Sequence, residues 1–139
     1  MVVRVRWRRI LPESEGLFRT TRVLYAYVVP PDSEIVYVGK ADGKTVGERW
    51  SRSAKDDFWS DVERERKMKY HAVLVGEIEL PEGARLSRQL LADVESLLIG
   101  RLRPWGNIQS VRSRISRPGL RVVCEGEWPA RRKAFVDRA

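Results

Sequence analysis

A single cysteine and a single histidine are all that the 139-residue chain offers to soft metals. Cys124 has no second thiol for an internal disulfide, and His71 alone cannot build a zinc finger or a His-rich centre. Any bound metal is therefore left with carboxylate and water as its ligands. No apolar run reaches transmembrane length, and Arg4, Arg6, Arg8 and Arg9 interrupt the start of the chain where a secretory leader would be apolar. These absences set the expectation of an intracellular protein with no membrane partner. Internal repeats and low-complexity stretches are missing as well.

What is present is a foldable and strongly basic chain. Hydrophobic residues make up 42% of it and five are tryptophan, enough for one real core, so a single domain over 1–139 is expected. The formal charge of +8 points to a polyanionic partner, and its distribution is uneven. Residues 1–22 carry six basic and two acidic side chains, residues 23–110 thirteen and fourteen, and residues 111–139 eight and three. The pattern reads as a neutral core, residues 22–110, with basic flanking extensions at 1–21 and 111–139 able to grip phosphates.

Along the chain, Val2 to Trp7 reads as a short strand. Residues 23–29, VLYAYVV, are apolar on both faces and rich in β-favouring side chains, as in a buried strand. Pro30, Pro31, Asp32 and Ser33 make a turn, and Glu34 to Val38 return as a second strand, most simply an antiparallel hairpin. Residues 45–50 and 54–66 read as helices, the second with Ser53 as N-cap. Residues 71–80 read as a third strand and Leu120 to Cys124 as another. The fold class expected is α+β: a small mixed or antiparallel sheet of about three central strands, with possible terminal strands, flanked by helices.

The most informative stretch is Leu86 to Asn107. Leu86, Leu90, Leu91, Val94, Leu97, Leu98 and Leu102 recur at helical spacing until Pro104 ends the pattern. Glu95 interrupts it. Its helical neighbours are Leu91, Leu98, Ile99 and Leu102, and no basic residue stands at ion-pair spacing. A carboxylate placed there either reaches past Leu91 to water or finds a cation, donor or proton.

Val23-Leu24-Tyr25, eleven residues, Tyr37-Val38-Gly39-Lys40, then Arg49, then Glu95 on an apolar helix and a Pro-x-x-Asn end at Asn107 together resemble the GIY-YIG nuclease domain over residues 22–110. The resemblance implies a divalent-metal-dependent endonuclease acting on DNA, duplex or branched. By the same resemblance Tyr25 and Tyr37 are the paired tyrosines, one serving or orienting the general base, and Lys40 keeps Tyr37 ionisable or touches phosphate. Arg49 stabilises charge on the phosphoryl oxygens, Glu95 holds Mg²⁺ or Mn²⁺, Asn107 braces the site, and Gly39 lets backbone approach substrate. The chemistry is coherent, because phosphodiester hydrolysis needs a deprotonated water and a cation where negative charge accumulates.

The pattern departs from the family at two positions. Val23 replaces the Gly that opens the first motif. Ser53 stands where a His or Tyr often follows the Arg by one helical turn; shifting the alignment by three, so that Arg52 and Asp56 take those places, does no better, and Tyr70 or His71 are the nearest substitutes. A catalytically inactive nucleic-acid-binding module on the same scaffold is therefore the alternative function. Arg112, Arg114 and Arg117 are the candidate phosphate contacts, which position a duplex without reading it. So short a chain has little room for a separate reading domain, so either the basic flanks 1–22 and 111–139 read the site, or the protein cuts structured DNA by shape, or it forms a homodimer.

Overall fold

A computed structural model describes residues 1–10, 16, 20–29, 34–43, 45–46, 72–104, 106–107 and 119–137. The elements in chain order are strand β1 (Val2–Ile10), β2 (Val23–Val29), β3 (Glu34–Ala41), β4 (Ala72–Glu79), helix α1 (Arg88–Leu102), β5 (Arg121–Gly126) and β6 (Ala134–Val136). The architecture is α+β. The sheet, however, has six strands in the order β3-β2-β4-β1-β5-β6, so the three strands expected at its centre are only half of it. The basic terminal segments supply the rest: β1 runs antiparallel to β4 and parallel to β5, and β6 closes the far edge against β5. The helices expected at 45–50 and 54–66 fall outside the described residues apart from Thr45 and Val46.

Strand alternation divides the core into two layers. On one face Val3, Val5 and Trp7 of β1, Leu24, Ala26 and Val28 of β2, Val38 of β3 and Val122 and Cys124 of β5 pack against α1. On the other face Tyr25, Tyr27 and Val29 of β2 join Val36, Ala41, Val46, Val73 and Val75. All seven residues of β2 are buried, as its two-sided apolar sequence requires. Gly76 of β4 pairs with Trp7, and a Cβ there would lie 2.6 Å from Val5 and 3.0 Å from the Trp7 indole, so the glycine is what lets the ring lie across the strand. Trp7 in turn packs against Trp128, with ring centroids 5.0 Å apart.

The outer face of β1 carries its charge. Arg4, Arg6 and Arg8 alternate with the buried residues and pair with Glu125 at 3.0 Å, Glu79 at 3.7 Å and Glu77 at 4.0 Å. Each acid belongs to a neighbouring strand. Half of the basic side chains in residues 1–22 are thus matched by acids that sequence order places far away.

Helix α1 begins at Ser87, whose hydroxyl accepts from the Leu90 N–H at 3.0 Å, an ordinary N-cap. It ends at Arg103, in the left-handed conformation at φ 50°, with its N–H on the Ile99 carbonyl and Pro104 preventing continuation. Leu90, Leu91, Val94, Leu97, Leu98 and Ile99 are buried. No described helix is long and apolar enough to cross a membrane.

Candidate functional site at the edge of the tyrosine hairpin

The hairpin expected from residues 23–38 forms as read, and β3 continues to Ala41. Its antiparallel register sets Tyr27 opposite Tyr37 and Tyr25 opposite Gly39, with an irregularity just beyond Tyr27. All three phenol rings lie on the face away from α1. Tyr25 and Tyr37 stack with centroids 6.0 Å apart and planes 27° from parallel, and Tyr27 completes the triangle at 5.5 and 5.3 Å. Gly39 makes this packing possible: a Cβ on it would sit 2.5 Å from the Tyr25 ring and 2.9 Å from that of Tyr37. The ring of Tyr25 occupies the space a side chain at 39 would need. Tyr25 and Tyr27 are buried and Tyr37 is half-buried.

β3 is a sheet edge, bonded to β2 on one side only. On its other side the Asn107 side chain acts as a short substitute strand. Its amide donates to the Val38 carbonyl at 2.9 Å and its oxygen accepts from the Val38 N–H at 2.8 Å, with Asn107 only 5% exposed. An edge N–H and C=O buried without such partners would carry a desolvation cost. At the other end of the strand, Arg88 in the first turn of α1 pairs with Asp42, just past β3, at 3.3 Å. The Arg22 guanidinium donates to the Leu86 carbonyl ahead of the helix. These ties hold the start of the helix near the end of β3.

Glu95 lies further along α1. Seven residues separate it from Arg88, nearly two full turns, so the two share one side of the helix. It is half-buried, beside the buried Leu91, Leu98 and Ile99, as its sequence position implied. Lys40 is also half-buried, but alternation places it with Val38 on the α1 face, opposite to Tyr37. The candidate residues are therefore split: phenols on one face of the hairpin, Lys40 and Glu95 on the other, with the β3 edge between them. Arg49, Ser53, Tyr70 and His71, and the phosphate contacts assigned to Arg112, Arg114 and Arg117, lie outside the described residues.

Two residues of this region carried no distinct signal in the sequence. Tyr27 reads as one more strand aromatic, yet it touches both of the paired tyrosines. Asp93 is 1% exposed and accepts from the Gln89 side chain at 2.9 Å, which makes it the more deeply buried carboxylate of α1. The i, i+4 spacing of Gln89 and Asp93 was the available clue.

Among the described residues no three His, Cys, Asp or Glu side chains come close enough to form a protein metal cage. A single carboxylate suits only a hard cation that keeps most of its water and takes substrate oxygens as ligands, as Mg²⁺ does. No known protein family, curated protein or solved structure matches the chain.

Proposed function

We propose that the chain is a divalent-metal-dependent endonuclease that hydrolyses phosphodiester bonds in DNA, with its site wrapped around the free edge of β3. The observation that carries this reading is the stacked pair Tyr25 and Tyr37, 6.0 Å apart across a glycine with no room for a side chain, on a strand at the edge of the sheet. A phenol ordinarily titrates near 10, so one used as a base at neutral pH needs positive charge nearby. Arg49 and the bound metal are candidates to supply it, whereas Lys40, on the opposite face of β3 from Tyr37, could do so only around the strand edge.

In this mechanism a phenolate of the pair takes a proton from the attacking water as its oxygen bonds to phosphorus, and the leaving oxygen departs with the electron pair of the broken P–O bond. Glu95 would hold Mg²⁺ or Mn²⁺, which supplies Lewis-acid stabilisation of the phosphoryl oxygens when bound. Asn107 keeps β3 in place without touching the reacting atoms.

Incubation of the purified protein with plasmid and branched DNA in Mg²⁺ and in Mn²⁺ tests the reading directly. Cleavage is expected, and Glu95→Ala should lower it by about 10³-fold, the equivalent of several kcal/mol of charge stabilisation, with folding retained. Intact DNA in both metals would reject the enzyme. The placement of Lys40 and Glu95 across the hairpin from the phenols favours a second reading, a nucleic-acid-binding module without catalysis. That reading predicts salt-sensitive binding that needs no divalent ion and no cleavage under any condition.

A further inference from the structure

Far from the tyrosine hairpin, at the opposite edge of the sheet, the last turn of α1 meets β6 and encloses a groove of about 440 Å³ lined by Arg101, Arg132, Ala134 and Val136. Both guanidiniums are fixed in place by backbone carbonyls. Arg101 donates from Nε at 3.3 Å and Nη2 at 3.0 Å to the Val136 carbonyl. Arg132 donates from Nε to the Ala134 carbonyl at 3.2 Å and lies 5.0 Å over the Phe135 ring. The Arg132 backbone is itself anchored, because the Trp128 indole N–H donates to its carbonyl at 2.8 Å.

Of the five N–H groups on each guanidinium, Arg101 uses two and Arg132 one in these contacts. The others remain for a ligand. Among the described residues no acidic side chain lines the groove, and neither arginine takes part in an ion pair. The contrast with β1 is instructive, since Arg4, Arg6 and Arg8 each have a glutamate. Two guanidiniums ordered in advance without a counter-charge form an anion site whose ordering cost is already met. The groove opens at a sheet edge beside the exposed run Arg131-Arg132-Lys133, which extends the positive surface beyond the space one isolated phosphate would fill.

We propose that this groove grips the phosphate backbone of DNA, with Arg101 and Arg132 each neutralising one phosphate. The identity of the polyanion rests on the DNA reading above, whereas the grip is independent of the cleavage chemistry. It gives the protein a hold on a duplex at the sheet edge opposite the tyrosine site.

The test is the salt dependence of binding of a short duplex to the full chain by fluorescence anisotropy, in EDTA so that nothing is cut, with cleavage assayed separately. For Arg101→Ala/Arg132→Ala the slope of log K against log salt should become shallower by about 1.8, and affinity at 0.1 M salt should fall about 60-fold. Arg132→Gln leaves the Arg101 anchor on β6 intact and should lose about half of that slope, so it carries the test if the double variant does not fold. Arg6→Gln, whose charge is already paired, should leave the slope nearly unchanged. Wild-type binding with unaltered slopes in the groove variants overturns the grip and leaves the DNA reading standing. A wild-type protein that does not bind duplex overturns both.

Discussion

Cys124 shows how burial sets the chemistry of a single side chain. Its thiol is enclosed on the α1 face of the sheet, and burial pushes its pKa up to about 12, a rise opposed only slightly by the neighbouring Trp7 indole. The indole N–H makes no full hydrogen bond of its own. An unfolded cysteine titrates near 8.5, about 3.5 below the folded value, so the folded state holds its proton longer than the unfolded one. The stability that comes from this neutral thiol is complete below pH of about 8.5 and is lost as pH rises toward 12, at up to about 1.4 kcal/mol per pH unit. Urea denaturation from pH 8 to 11 should therefore show a steeper loss for the wild type than for Cys124→Ala. Equal slopes would mean that the thiol is not the group being titrated. Glu95 is a different case: a half-buried acid legible in the sequence because its neighbours at three and four residues, Leu91, Ala92, Leu98 and Ile99, are all apolar. Asp93 is more deeply buried, and its four-residue spacing from Gln89, which donates to it at 2.9 Å, is the one trace of it in the sequence.

Among the elements, β3 depends most on a contact made from outside the sheet. Asn107 satisfies both backbone groups of Val38 on the edge that β2 does not cover. Asn107→Ala should cost about 2 kcal/mol, since it removes two hydrogen bonds and leaves a buried N–H and C=O to find water. Hydrogen exchange should show the Val38 amide losing protection more than amides on the inner strands. A Val38 amide that stays as protected as before would show that the asparagine is dispensable to the edge. The hairpin itself could be read from residue order, because β2 is continuously apolar, Pro30-Pro31-Asp32 is a strong turn, and β3 follows directly. The place of β1 could not be read. Its alternation of valine and arginine gives a strand with one wet face, but pairing to β4 on one side and to β5, more than a hundred residues away, on the other leaves no local trace. β6, with three residues, is too short for periodicity to reveal.

Across the whole molecule, the charge that sequence order assigned to the two ends is redistributed by folding. The arginines of β1 meet glutamates on β4 and β5, exposed pairs that each contribute well under about 1 kcal/mol but cancel the field of that face. Among the described residues, Arg101 and Arg132 gather positive charge without an acidic partner at the α1–β6 corner. The tyrosine hairpin and the arginine groove then stand at opposite edges of one six-stranded sheet, which under the proposed function would let the protein hold a long polyanion at one place while acting on it at another. Lys40 limits how far sequence spacing alone could assign the site. Three residues after Tyr37 is adjacent along the chain but across the sheet in space, and only the edge position of β3 allows both side chains to reach a common substrate.

The central claim is that the two phenols and the helix carboxylate serve one cation and one phosphate around the β3 edge. A crystal of the protein soaked in Mn²⁺ with a short DNA strand, with anomalous density located at the manganese edge, tests it most directly. The expected result is a peak at the Glu95 carboxylate with a phosphate oxygen bridging toward Tyr25 and Tyr37, and no peak in Glu95→Ala. Manganese bound elsewhere, or at Glu95 with the DNA on the far side of the sheet from the phenols, would contradict it.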